Sequence, residues 1–267
     1  MKIAILCLIA LTTYTPVVAR EVILLGAPDA REATPSLAVM SGGSLTLDVV
    51  IPSSLDRSKV SVGLWQTSGG LALSLGKDIA LDAVPDEHGI TQVRLEFPKV
   101  ERKARVLVKF FSSDEPRKAL GQAQVQVYPP FDWAPLSRKL KKDGPHILIF
   151  GENEALRAFF KNREIDFSDN GEDPPDRLDG DTLVIGFLPA KAWRDGKDRF
   201  SADGGRLLVF VADAEAPPGV YTQPAGAGVI TKVTLPVLAQ LAQDPRSEEL
   251  LFQLFEQHIH TAPAANF

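Results

Sequence analysis

The hydrophobic pattern of this chain changes character at Pro129-Pro130, and no other feature constrains the fold as much. Before the two prolines, short apolar runs alternate with polar residues. After them, apolar runs are near-continuous and are separated by segments of helical spacing. Alternation places one strand face in a core and the other in water, whereas continuous runs belong to strands covered on both faces. A chain with both patterns in succession reads as two domains of different class. A length of 267 residues suits that division.

Residues 20–129 carry the alternating runs. Ser44 to Ile51, Val60 to Trp65, Leu71 to Leu75, Thr91 to Phe97, Arg105 to Phe110 and Ala123 to Tyr128 each read as a short strand. Val93, Leu95 and Phe97 fall on one face. Gly, Pro, Ser and Asp mark the breaks, as at Ser41-Gly42-Gly43 and Pro85-Asp86. Regular short strands with such turns predict an immunoglobulin-like antiparallel β-sandwich. Trp65 and Phe97 are expected in its core, since isolated aromatics on alternating strands pack inward.

Residues 130–144 read as a linker. Proline cannot donate to a sheet ladder and restricts the residue before it. Phe131 and Trp133 are expected to pin this linker against one domain. Arg138, Lys139, Lys141 and Lys142 read as the solvated face of a linker or short helix.

Residues 145–262 carry the second pattern, and 263–267 form a tail. His146 to Phe150 reads as a buried strand, Gly151 as a turn, and Glu152 to Lys161 as a helix. Glu164 to Phe167 reads as a short strand, followed by an acidic loop with Asp169, Glu172, Asp173, Asp176, Asp179 and Asp181. Thr182 to Gly186, Arg206 to Val211 and Gly228 to Val233 are further strands. Leu235 to Ala242 and Ser247 to Ile259 are closing helices, the second with Ser247 as N-cap. Strand and helix alternate, which predicts an α/β doubly wound (flavodoxin-like) parallel sheet.

Leu183-Val184-Ile185-Gly186, Gly204-Gly205-Arg206-Leu207-Leu208-Val209-Phe210, Gly226-Ala227-Gly228-Val229-Ile230 and Asp244-Pro245 before a helix together resemble a class I glutamine amidotransferase-like domain. The non-catalytic relatives in β-galactosidase trimerisation domains are closer still. The resemblance covers roughly residues 145–260. It implies a nucleophile elbow after Gly186, with a cysteine between glycines, and a late His-x-Glu pair. This chain has Gly186-Phe187-Leu188-Pro189-Ala190 at the first place and no such pair. The residues that would perform the family's reaction are missing.

The N-terminus reads as a secretory leader over residues 1–19. Lys2 precedes an apolar run from Ile3 to Leu11, too short to span a bilayer, and Val17-Val18-Ala19 offers a small-residue cut before Arg20. Cys7, the only cysteine, lies inside that run, so the mature chain is expected to hold no thiol. That excludes disulfides, cysteine zinc sites and cysteine nucleophiles together. The expected location is periplasmic or secreted, not membrane-embedded after leader cleavage. The formal charge of -5, without a basic stripe, argues against nucleic acid as a partner.

Ligands of open α/β sheets gather at the carboxyl ends of the strands. There the expected ligand-binding residues are Glu152, Asn153, Phe187 and Asp213, with helix capping and loop packing as the competing reading. The acidic loop lacks the alternation of an EF-hand, and His258 and His260 would point to different helix faces. No catalytic residue, metal ligand or cofactor is therefore assigned. The sequence leans away from an enzyme, toward an exported non-catalytic binding or assembly protein of the bacterial cell envelope. Its expected partner is an envelope protein or a carbohydrate, with homo-oligomerisation left open. The alternative is a carbohydrate-active hydrolase or a carbohydrate-binding accessory protein. A hydrolase needs two carboxyl groups about 5 to 10 Å apart, and Glu152 with Asp213 is the pair available.

Overall fold

A computed structural model describes residues 22–26, 36–68, 71–76, 78–81, 84–175, 181–196, 205–212, 216–225, 228–241 and 243–260. The expected leader with Cys7, and Asp176, Asp179 and Asp213, lie outside the described residues.

The first half folds into two sheets around one core. β1 (Val22–Leu24), β3 (Ser44–Val50) and β7 (Ile90–Glu96) form a three-stranded sheet with β3 in the middle. The second sheet runs β2 (Ser36–Met40), β9 (Glu115–Tyr128), β8 (Ala104–Ser112), β4 (Val60–Ser68), β5 (Leu71–Ser74), and β6 (Ile79–Ala80) also pairs with β4. Leu47, Val49, Val93 and Leu95 from one sheet share a core with Val62, Val106, Val108, Phe110 and Val125 from the other. Alternation along β7 does this, because Val93 and Leu95 turn inward while Gln92, Arg94 and Glu96 face solvent.

Two details depart from the sequence reading. The sheets are not purely antiparallel: β1 runs parallel to β3, and β2 parallel to β9. Trp65 is also not in this core. It lies on the other face of β4 from Val62, edge-on to Phe111 with ring centroids 6.0 Å apart. Gly63, two residues away, makes room for the indole, and a Cβ there would stand 2.5 Å from the Trp65 ring. Phe97 is buried as expected.

The second half begins with α1 (Ala134–Asp143) and continues through β10 (His146–Phe150), α2 (Glu154–Asn162), β11 (Ser168–Asp169), β12 (Thr182–Pro189) and α3 (Ala190–Gly196). It ends with β13 (Arg206–Ala212), β14 (Val220–Ala225), β15 (Gly228–Val233), α4 (Val237–Gln240) and α5 (Pro245–His260). The sheet order is β11-β10-β12-β13-β15-β14, parallel throughout except for the antiparallel β14–β15 pair. The near-continuous apolar strands are explained by burial on both faces. Leu183 and Ile185 of β12 join Leu156, Phe160, Leu254 and Phe255 on one side, while Val184 and Leu188 join Trp193 of α3 on the other.

α5 is capped by Asp244 rather than Ser247. The Arg246 amide donates to Asp244 Oδ1 at 2.9 Å, and Pro245 takes the first helical position, where its missing N–H is harmless. The halves meet where the Tyr128 ring lies 6.4 Å from Phe131 and Lys103 pairs with Glu249 at 2.8 Å. No helix among the described residues is long and apolar enough to cross a membrane.

Candidate functional site

The carboxyl ends of β10 and β12 come together, but backbone and rings fill the space between them. Gly151 adopts φ +86°, and a Cβ there would lie 2.4 Å from the Phe187 carbonyl oxygen. A Cβ on Gly186 would meet the Phe150 ring at 2.1 Å. β12 does not stop at Gly186; it pairs with β13 as far as Pro189↔Ala212. The strand-to-helix turn therefore falls at Pro189-Ala190, where the side chain on offer is a methyl group.

Two of the expected ligand residues, Asn153 and Phe187, have structural work at this corner. Asn153 caps α2, accepting the Leu156 amide at 2.7 Å. Glu152 is exposed, and Phe187 packs against the larger core of the α/β half. Arg157, 7% exposed, forks onto Asp169 through Nε at 2.7 Å and Nη2 at 2.8 Å, and its Nη1 donates to the Gly151 carbonyl at 2.9 Å. Asp169 also accepts the Gly171 amide at 3.0 Å. The Arg157 hydrogen bonds, then the Gly171 amide, hold its carboxyl at a pKa of about 2. Asp169 of the acidic loop is thus committed to tying β11 onto α2. Among the described residues no group of three or more His, Cys, Asp or Glu side chains is placed to hold a metal ion.

A groove of about 780 Å³ lies elsewhere, between α1 and the turn after α2. Its making starts at the end of α2. The Ile165 amide donates to the Phe160 carbonyl at 3.0 Å and the Glu164 amide to Lys161 at 3.2 Å, which is the Schellman pattern of helix termination. That pattern needs a left-handed residue, and here Glu164 supplies it at φ 54°. Ser137 of α1 donates to the Glu164 carbonyl at 2.8 Å and ties the turn down.

Arg163, just before Glu164, forms one wall. Its Nε donates to Glu248 Oε1 at 3.2 Å and its Nη2 donates to the same oxygen. Its guanidinium lies 4.2 Å from the Phe159 ring centroid. Glu248 is 6% exposed and also accepts Trp133 Nε1–H at 2.9 Å. Arg138 and Lys141 of α1 line the groove beside Phe131, Trp133 and Ser137. The linker reading gave these cations no role. Spacing did carry a signal: Arg138 and Lys141 are three apart and share a helix face. The contribution of Arg163 across the fold had no signal in sequence.

His258 of α5 is buried away from both places. Its Nε2 lies 3.1 Å from Thr231 Oγ1, and its carbonyl accepts Arg206 Nη1 at 3.0 Å. Burial first, then the Arg206 charge, lowers its pKa to about 4, so the ring is neutral at pH 7.

No family model matches the chain. No curated protein matches it either. Among solved structures it is similar to the extracellular domain of the voltage-gated sodium channel beta4 subunit, described in parallel homodimers with a role in cell-cell adhesion. The identity there is 10%, over 37% of this chain and 93% of that one, at a TM-score of 0.23. It is also similar to a sialyltransferase from Photobacterium damsela, with 11% identity, 67% and 36% coverage and a TM-score of 0.20. The chain spans about a third of the matched sialyltransferase. At such TM-scores these likenesses fix neither fold nor function.

Proposed function

We propose that this chain is an exported, non-catalytic binding or assembly protein of the bacterial cell envelope. In this reading an immunoglobulin-like sandwich, residues 20–129, precedes a degenerate, doubly wound amidotransferase-like domain, residues 145–262. The supporting observation is the filled corner at the strand ends. A nucleophile elbow needs a reactive side chain on a sharp turn with open space above it. This turn carries Ala190, and the space at Gly186 is taken by the Phe150 ring. Glutaminase, esterase and glycosidase assays on the purified mature chain test the reading. No turnover above background is expected. Robust turnover that disappears in Glu152→Gln overturns it.

A second reading, carbohydrate binding by the sandwich, is favoured by Trp65. The half-buried indole lies against Gly63 on the face turned away from the core, and Lys109 Nζ stands 5.9 Å from its centroid. Such a ring offers a stacking surface for a sugar. Glycan-array binding lost in Trp65→Ala would support it, and an array signal unchanged by that substitution would remove it.

A further inference from the structure

We propose that the groove between α1 and the turn after α2 is a binding site for a small oxyanion, a carboxylate or phosphate group, carried on an apolar stem. This deepens the binding reading given above and rests on it.

The first ground is Arg163. Two of its nitrogens are fixed on the buried Glu248 and its plane is packed on Phe159, so the guanidinium is already ordered. Its Nη1 makes no hydrogen bond among the described residues. An arginine held this way loses little freedom when an anion binds, and its planar donors match a carboxylate or phosphate.

The second ground is the pair on α1. Among the described residues Arg138 makes one hydrogen bond, from Nε to the Ala134 carbonyl at 3.3 Å, and neither Nη group has a partner there. Lys141 pairs with Asp166 at 3.7 Å, its one acidic partner among the described residues. The groove lining contains three cations and one acid, Glu164. Glu248 faces Arg163 and the exposed Asp166 faces Lys141, so Arg138 is the lining cation that meets no acid among the described residues, and it gives the groove its pull on an anion.

The third ground is shape. Phe131 and Trp133 supply an apolar floor, and about 780 Å³ lies within the range of roughly 300 to 1,000 Å³ usual for small-ligand sites. A bare ion would leave that floor unused, which is why the ligand needs a stem.

The test is calorimetric titration of the full mature chain with phenyl phosphate, benzoate and the neutral benzyl alcohol. One or both anions are expected to bind saturably, more weakly at high salt, and to bind roughly tenfold more weakly to the double variant Arg138→Ala/Lys141→Ala. The stronger anion identifies the oxyanion class. Both replaced side chains are exposed, so the variant should melt like the parent. Glu164→Gln, which removes the opposing charge, is expected to tighten anion binding. Equal affinity for benzyl alcohol, an unchanged affinity in the double variant, or no saturable binding of either anion at 20 mM (on the order of the weakest affinity worth calling a site) overturns the assignment. Release of phosphate from phenyl phosphate would instead count against the non-catalytic reading and leave the groove assignment standing.

Discussion

Trp133 Nε1 donates to Glu248 Oε1 at 2.9 Å, joining the segment before α1 to the first turn of α5 across 115 residues. The same carboxylate accepts Arg163, so one buried acid gathers three elements of the α/β half. Removing one member of a buried charged pair strands its partner. Glu248→Ala is therefore expected to lower stability by about 2 to 4 kcal/mol, below the fully buried limit because Arg163 is partly exposed. Urea unfolding of both proteins checks this. A loss under about 0.5 kcal/mol, the level of an ordinary surface change, would mean that the three elements are held by ring packing alone.

Glu164 occupies a helix-ending position that glycine fills at least cost. Glu164→Gly removes the left-handed strain but loosens the unfolded chain, and the two effects oppose each other. A net gain of about 0.5 to 1 kcal/mol is expected, because left-handed backbone costs a non-glycine residue on the order of 1 kcal/mol or more. Thermal melts of Glu164→Gly and Glu164→Ala separate the backbone effect from loss of the carboxylate. The alanine variant should gain nothing.

This residue also marks where the sequence stopped being legible. The alternating strands of the first half and the continuous strands of the second could be read directly, since burial on one face or two leaves a period in the residues. The end of α2 could not. Without glycine at the stop, Glu164 to Phe167 reads as a strand, whereas the ladder at this point contains Ser168–Asp169. β1 and β2 leave no local signal because their pairing is parallel and distant in sequence, so no hairpin turn announces them. The groove was invisible for a similar reason. Arg163, Glu248 and Trp133 meet only after the chain has closed, and no local pattern foretells a contact over 115 residues. At the strand ends the sequence leaves Asn153 both a capping and a ligand-binding reading, and the cap is the bond the fold contains.

His258 sets a pH dependence of known sign. Its folded pKa, about 4, lies below the ordinary 6.5, so the unfolded chain takes up the proton first as pH falls. Stability is fully present above about pH 6.5 and declines as pH drops toward 4, by on the order of 3 kcal/mol in all. Among the described residues Arg206 and Thr231 are placed against it, and neither supplies a carboxylate to offset the new charge. Urea midpoints at pH 7.5, 6, 5 and 4.5 should fall steeply in the parent and less steeply in His258→Gln. Parallel slopes would count against the assignment. Asp169 acts in a lower window. Its stabilising ionisation is present above about pH 4 and lost only as pH approaches 2, so the two groups can be told apart.

Thr91 of β7 points into the sandwich core in line with Val93 and Leu95 and is fully buried. Among the described residues its hydroxyl has no hydrogen-bond partner. A buried unsatisfied hydroxyl costs about 1 to 3 kcal/mol, part of which returns when a methyl group of similar shape replaces it. Thr91→Val is expected to stabilise the chain by about 1 kcal/mol, and Thr91→Ser to destabilise it by opening a small void. Denaturant midpoints at neutral pH decide. Loss of stability in Thr91→Val would show that the hydroxyl is satisfied by a bound water.

Gly186 tests whether the corner is filled by necessity. A Cβ there would enter the Phe150 ring at 2.1 Å, and Phe150 is fully buried, so neither side can yield cheaply. Gly186→Ala is expected to cost about 2 to 3 kcal/mol as overpacking. Phe150→Leu alone should cost a further 1 kcal/mol or so as a large-to-small change. The double variant should be more stable than the sum of the two, because the smaller ring position admits the new methyl group. A favourable coupling of about 1 kcal/mol or more in that double-mutant cycle is the expected result. Simple additivity would mean that ring and glycine do not compete for the same space, and the strand end would then have room for a side chain that the present packing excludes.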